Sequence, residues 1–227
     1  MEILQGKIVD ISPHGVTVFV PYDNIDRLCK RQYDEVEVGF RDGRTLAPSQ
    51  RRKAYALMGE IAEWSGTDKE DVKEIVKHQF IAQHLEGLQK ELFSLSDCDM
   101  TTAKEFISYL IDFIVAWEVP TKLPLVEYCE DIKRYVYACL IHKQCAVCGK
   151  RPCDLHHFGS DRIGMGNDRR EVNHLGRECL PLCREHHMET DQIGDGSFIT
   201  KYHLEPVEID EKIAKIYKLN TKARKHS

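Results

Sequence analysis

Seven cysteine and histidine side chains in the second half of the chain fall into two sets by their spacing. The outer set consists of two pairs, each with two residues between its members: Cys145 with Cys148, and Cys183 with His186. This spacing is typical of a closed tetrahedral zinc site. The other three histidines can bind a second metal ion or take a proton from water: His156, His157 and His187. The spacing therefore predicts a structural zinc ion beside a histidine-rich site.

The segment from Cys145 to Asp191 resembles the HNH (ββα-metal) endonucleases, in the type that bacteriophages encode. It contains two adjacent histidines and ends in Cys-x-x-His-His, where the family has Cys-x-x-Cys-His. The resemblance implies a β-hairpin packed on a helix, and hydrolysis of DNA phosphodiester bonds with a catalytic Mg²⁺ or Mn²⁺ ion. In such a reaction the ion neutralises the phosphate while a histidine deprotonates water.

The same resemblance assigns roles to the inner histidines. His156 is then a ligand of the catalytic ion and His157 the general base, although the reverse assignment, or a structural role for one of them, stays open. His187 is a second ligand. Asp191 lies four residues later on the same helical face, so it either completes the ligand set or is a surface carboxylate. A carboxylate ligand suits Mg²⁺ or Mn²⁺.

The middle residue of the HNH signature is Asn173 or His174, both of which we place in the second strand of the hairpin. We favour Asn173, which would orient the base by a hydrogen bond. His174 is the alternative and would do the same or bind the metal ion. Two arginines in the predicted hairpin loop, Arg169 and Arg170, are candidates for contacts with DNA phosphates.

Hydrophobic periodicity predicts a small antiparallel sheet followed by helices. Residues 2–40 alternate as strands do, with a turn at Ser12–Gly15 and a third strand from Glu35 to Phe40. A capping box that begins at Thr67 predicts the start of the second helix, whose apolar stripe includes Ile75. The four predicted helices are about Pro48–Trp64, a segment after Thr67, a segment through Phe106–Trp117, and Leu125–Leu140.

The segment from Leu46 to Ile61 resembles the "S-x-x-Q-N-R-K-x-x-x-L-x-G-x-I" sequence of bacteriophage NinB/Orf recombination mediators, and a weaker likeness extends over roughly residues 30–135. The resemblance implies binding of single-stranded DNA, contact with single-strand-binding protein and a homodimer. Cationic side chains at a helix N-terminus can hold phosphates, or they can simply be solvated. The candidate DNA-binding residues are Gln50, Arg51, Arg52 and Lys53.

Composition limits the class of protein. The net charge is −5, with 42% hydrophobic and 30% charged residues, which is typical of a globular protein and predicts no membrane segment. Nine cysteines without an export signal favour the reducing cytoplasm. The resemblance to phage proteins implies the cytoplasm of a bacterial host cell. Five of the nine cysteines lie between His142 and His203, and two of these five, Cys153 and Cys179, are outside the zinc set. Cys153 is an alternative to Cys148 as a ligand, although the short Cys-x-x-Cys spacing favours Cys148.

These patterns together predict an α+β protein in two parts. Residues 1–142 would form a DNA-binding domain with a small antiparallel sheet and helices, and residues 143–227 a zinc-stapled ββα-metal (HNH) module. The predicted function is metal-dependent endonuclease activity in phage DNA recombination or replication, on single-stranded or branched DNA. The alternative is a non-catalytic recombination mediator whose zinc module only binds DNA.

Overall fold

The computed structural model describes residues 6–31, 46–84, 94–95, 98–161 and 172–222. Within these ranges helices combine with two small antiparallel sheets, as the sequence predicts. The strands are β1 Lys7–Ser12, β2 Gly15–Phe19, β3 Asp154–His157, β4 Glu178–Leu182 and β5 Val207–Glu208. The helices are α1 Ile25–Arg31, α2 Pro48–Ser65, α3 Lys69–His84, α4 Met100–Trp117, α5 Ile132–Ile141, α6 Arg184–Ile193, α7 Asp195–Tyr202 and α8 Glu211–Tyr217. None of the helices described combines the length and apolar character needed to cross a membrane.

The N-terminal sheet is a hairpin. Strands β1 and β2 pair antiparallel, and Ser12 lies opposite Gly15 at the predicted turn. The predicted third strand, Glu35–Phe40, lies outside the described residues. Helix α1 follows the hairpin and was not predicted, because its seven residues are too few to show a clear periodicity.

Helices α2, α3 and α4 pack together through their apolar faces. Helix α2 begins at Pro48 and ends before Gly66, whose φ of 68° is readily adopted by glycine. The predicted cap of α3 is wrong by one residue, because the Asp68 carboxylate, not Thr67, accepts a hydrogen bond from a backbone N–H of the first turn. Two residues assigned to apolar stripes are exposed instead: Ile75 by 48% and Trp117 by 61%.

The predicted fourth helix is interrupted. Residues Leu125–Tyr128 form a 3₁₀ turn, and α5 begins only after Asp131. The Asp131 carboxylate accepts a hydrogen bond from the backbone N–H of Arg134 at 3.1 Å, which caps α5 at its true start. The apolar stripe continued through the break, so periodicity alone did not reveal it.

The C-terminal sheet has the strand order β3-β4-β5, with antiparallel pairing throughout. Helix α6 follows β4 directly, and β3, β4 and α6 therefore form a hairpin packed on a helix. The predicted second strand is misplaced, because β4 begins at Glu178 and leaves Asn173 and His174 in the preceding loop.

Helix α5 connects the two parts of the molecule. It packs against α4 on the N-terminal side and against β4 and α8 on the C-terminal side. Val136, Cys139 and Leu140 are fully buried there, and the buried residues from Leu46 to Ala214 form one hydrophobic cluster. The division at residues 142 and 143 remains a prediction, and the apolar core extends across it.

Candidate metal centre and catalytic cleft

Four ligand atoms come together where the segment after α5 meets the start of α6. They belong to Cys145, Cys148, Cys183 and His186, and all lie within 4.8 Å of one another. Cys145 and Cys148 lie in a tight turn, in which the backbone N–H of Gly149 donates to the carbonyl oxygen of Cys145 at 2.9 Å. Cys183 is the N-cap of α6. The predicted outer set is therefore gathered at one point.

Two of three separations between these atoms match a tetrahedral metal site, and the third, between Cys183 Sγ and His186 Nδ1, is shorter. The Sγ atoms of Cys148 and Cys183 are 3.7 Å apart, and His186 Nδ1 lies 3.6 Å from Cys145 Sγ and 3.1 Å from Cys183 Sγ. Metal–sulfur distances of about 2.3 Å and metal–nitrogen distances of about 2.0–2.1 Å place tetrahedral ligand atoms about 3.5–3.8 Å apart. The group fits a structural metal ion such as zinc.

Burial also affects the protonation of the ligand residues. It raises the pKa of the Cys145 thiol, and it raises the pKa of the Cys148 thiol to about 12. It lowers the pKa of His186 and so keeps the imidazole neutral, as a ligand must be. Thiolates in such surroundings need a bound cation to offset their loss of hydration. Cys153 is not part of the group, because its Sγ lies 3.4 Å from the hydroxyl oxygen of Tyr217 instead.

The two adjacent histidines of β3 have different partners. His157 is buried, and its Nε2 lies 2.9 Å from Nδ1 of His174, which is also buried. The Nε2 atom of His156 lies 3.2 Å from one carboxylate oxygen of Asp195. The other carboxylate oxygen of Asp195 accepts from the Gly159 backbone N–H at 2.7 Å. Each histidine is therefore oriented by a separate side chain.

His187 extends from α6 towards these residues. Its ring centroid lies 4.7 Å from that of His156, and its Nδ1 lies 3.7 Å from a carboxylate oxygen of Asp154. This Nδ1 atom is buried and has no hydrogen-bond partner. A buried polar atom without a partner costs about 1–3 kcal/mol, so a ligand at this nitrogen would remove the cost.

The predicted ligands of the second metal ion are less closely gathered than the zinc set. Asp191 is exposed on α6, while Asp154 and Asp195 are the carboxylates in contact with the predicted histidines. Among the described residues, the Cys145 group is the one set of three or more such ligand atoms within 4.8 Å of one another. His156, His187 and Asp191 therefore do not form an equally compact set.

A cleft of about 700 Å³ opens beside this site. His157, His174 and His187 line it, together with Asp154. Asn173, the favoured candidate for the middle residue, makes a local contact instead, because its side-chain oxygen accepts from the Leu175 backbone N–H at 3.1 Å. Of the two candidates, His174 is therefore the one in contact with His157.

Two of the four candidate DNA-binding residues at the start of α2, Gln50 and Lys53, have partners within the protein. Gln50 is buried and its side-chain oxygen accepts from the backbone N–H of Ala47 at 3.3 Å. Lys53 Nζ lies 2.7 Å from a Glu130 carboxylate oxygen. Arg52 is exposed, whereas Arg51 is partly buried. The two loop arginines, Arg169 and Arg170, lie outside the described residues.

Sequence reasoning missed two carboxylates at the site. Asp154 is not among the predicted site residues, although its position two residues before the adjacent histidines is a usable signal. Asp195 is eight residues beyond His187, at the first position of α7, and only the backbone turn at Gly194 brings it back to His156. No spacing rule for metal ligands would have selected it.

A zinc-type group that joins a β-hairpin to a helix, with histidines on the first strand and on the helix, defines a ββα-metal module. Residues 21–220 match the family described as "Putative HNHc nuclease". The chain therefore belongs to this nuclease family. No curated protein and no solved structure matches the chain. The likeness of the N-terminal part to NinB/Orf mediators remains a prediction.

Proposed function

We propose that the protein is a metal-dependent endonuclease that hydrolyses phosphodiester bonds of DNA. The observation that carries the proposal is the contact between His157 and His174 in a cleft that His187 also lines. When two neutral imidazoles share one hydrogen bond, one ring donates and the other accepts, and the tautomers decide which ring donates. Family membership supports nuclease chemistry at this site.

In the proposed reaction His157 is the general base. If its Nε2–H donates to Nδ1 of His174, its own Nδ1 is unprotonated and can accept the proton of the attacking water. His174 then acts through His157, as a positioning residue that fixes the tautomer and the ring orientation. This arrangement supports His174, rather than Asn173, as the middle residue of the signature.

His156 and His187 are the proposed nitrogen ligands of the catalytic ion. The donor set fits a divalent cation, because the unpartnered His187 Nδ1 lies near the Asp154 carboxylate, and Mg²⁺ and Mn²⁺ prefer oxygen ligands. Asp191 remains a candidate, and the contact of 3.7 Å between Asp154 and His187 Nδ1 supports Asp154 as a further one. A bound Mg²⁺ or Mn²⁺ ion would neutralise phosphate charge and stabilise the leaving oxygen.

Cleavage tests this function directly. We expect purified protein to cut single-stranded, duplex or branched DNA when Mg²⁺ or Mn²⁺ is supplied, and to cut none in EDTA, because the catalytic ion is then removed. Ni²⁺ serves as a comparison ion. Electrophoresis of end-labelled substrates measures the products and identifies the preferred DNA structure. Intact DNA with every ion would contradict the proposal.

Binding without cleavage is the second candidate function. The compact zinc group supports it, since those four ligands complete a structural site whether or not a second ion binds. The protein would then be a recombination mediator whose zinc module contacts DNA. DNA binding that persists while no ion supports cutting would favour this function.

We also propose a DNA-binding role for the N-terminal helices, in phage DNA recombination or replication, with single-strand-binding protein as a partner and a homodimer as the assembly. The support is the NinB/Orf-like segment and the exposed Arg52 at the start of α2. Co-sedimentation with single-strand-binding protein and light scattering of the purified chain test the partner and the dimer. If the protein does not co-sediment with single-strand-binding protein and is a monomer by light scattering, DNA alone remains as the proposed partner.

Arg52→Ala tests the phosphate contact at α2. Losing one contact with single-stranded DNA should lower the slope of log K against log salt by about 0.7. Lys53→Ala is the matched control, because Lys53 is already paired with Glu130 and its removal should not change that slope. Fluorescence anisotropy across a salt series measures both. Equal slopes for Arg52→Ala and the wild type would show that Arg52 is only a solvated surface residue.

A further inference from the structure

The C-terminal turn, residues 217–220, lines the same cleft as His157 and His187. It begins at Tyr217, the last residue of α8, and Lys218 caps that helix in the left-handed conformation with φ of 55°. Nothing in the spacing of the sequence connects this turn with the histidines. The fold nevertheless places a cationic side chain, Lys218, in the wall of the proposed catalytic cleft.

The turn is held in place from both ends. At one end the hydroxyl of Tyr217 lies 3.4 Å from Cys153 Sγ, next to the start of β3. At the other end the carbonyl oxygen of Asn220 accepts from the backbone N–H of His174 at 3.0 Å, and the Asn220 side-chain amide donates to the Val172 carbonyl at 3.3 Å. The segment that carries Lys218 is therefore fixed to the loop that carries His174.

A second cation lines the cleft. Arg184, the first residue of α6, is 78% exposed in its side chain, and its guanidinium lies 4.0 Å from the Asp154 carboxylate. At that distance and exposure the ion pair is weak, so the guanidinium remains available to an anion. Two exposed cations beside a set of histidines favour a ligand with several negative charges.

The size of the cleft agrees with such a ligand. Sites that enclose a small ligand typically have volumes of about 300–1,000 Å³, and this cleft, at about 700 Å³, has room for a short stretch of a nucleic-acid strand. Phosphate contacts of this kind fix the register of a nucleic acid without reading its sequence.

We propose that Lys218 and Arg184 bind the phosphodiester groups that flank the scissile bond, so that the C-terminal turn sets the register of the DNA strand over His157. The proposal rests on the proposed nuclease function and adds the residues that hold its substrate. Because the turn is hydrogen-bonded to the His174 loop, the segment that contacts the substrate is connected directly to the residue that orients the base.

The test measures DNA binding by full-length protein in buffer without added divalent ions, so that the DNA stays uncut. The probe is a fluorescein-labelled duplex oligonucleotide followed by anisotropy. Lys218→Ala should bind more weakly than the wild type at low salt. Since one phosphate contact contributes about 0.9 to the salt slope, the ratio of variant to wild-type Kd should shrink about threefold between about 50 and 200 mM salt. Lys218→Arg should restore binding, because it keeps the charge.

Lys215→Ala is the matched control: Lys215 is an exposed lysine on α8 that does not line the cleft. It should bind as the wild type does. Equal loss in both lysine variants, unchanged binding by Lys218→Ala, or no binding by the wild-type protein would each overturn the proposal. A failure of the nuclease function would show separately, as absence of cutting by wild-type protein with Mg²⁺ or Mn²⁺.

Discussion

His157→Ala is expected to lower the rate of DNA cleavage by about 10²–10⁴, because it removes the proposed general base. The measurement is single-turnover cleavage of end-labelled DNA with Mn²⁺ at saturation. Folding and zinc content should be retained, since His157 supplies none of the four ligand atoms that come together around Cys145. Thermal unfolding and elemental analysis check both.

Two further variants separate the roles of the histidines. His187→Ala should lose catalytic-ion binding as well as cleavage, which a Mn²⁺ titration followed by electron paramagnetic resonance would detect. His78→Ala, at an exposed histidine on α3, should cut as the wild type does. Normal cleavage by His157→Ala would place the base elsewhere, and His156 would then be the next residue to replace.

Cys145→Ser is expected to unfold a large part of the chain. Cys145 is fully buried, and structural zinc in small peptides contributes apparent binding free energies of about 10–16 kcal/mol. Whole domains are stable by only about 5–15 kcal/mol, so the loss is comparable with the total. Elemental analysis should find about one zinc ion per wild-type chain and less in the variant, and circular dichroism should show reduced thermal stability.

Cys29→Ser is the control for this substitution, because Cys29 is an exposed cysteine on α1. It should keep both the zinc ion and the melting temperature of the wild type. A Cys145→Ser protein that resists protease as well as the wild type, together with wild-type protein free of zinc, would contradict a structural metal site.

The candidate metal site at Cys145, Cys148, Cys183 and His186 could be predicted because its ligands lie in two short local segments. The two-residue gap in Cys145-x-x-Cys148 fits a tight turn, and the same gap before His186 fits the first turn of a helix, so each pair is placed by local geometry. The fold then has only to bring the two pairs together. For this reason the spacing alone was sufficient to predict which residues form the site.

The surroundings of the inner histidines could not be predicted in the same way. His174 reaches His157 from a loop whose path depends on hydrogen bonds to Asn220 near the end of the chain. Asp195 reaches His156 only because the chain reverses at Gly194 between two helices. Such contacts depend on tertiary packing, to which hydrophobic periodicity and motif spacing are insensitive.

The position of α5 between the helical core and the C-terminal sheet has a consequence for the cell. Because its buried residues belong to both parts, a chain that fails to acquire its metal ion would expose apolar surface well beyond the metal site. Chains with raised unfolded populations are degraded by quality-control proteases. If that ion is zinc, the amount of folded protein would then follow the zinc supply, and a zinc-starved cell would hold fewer folded copies without any change in synthesis.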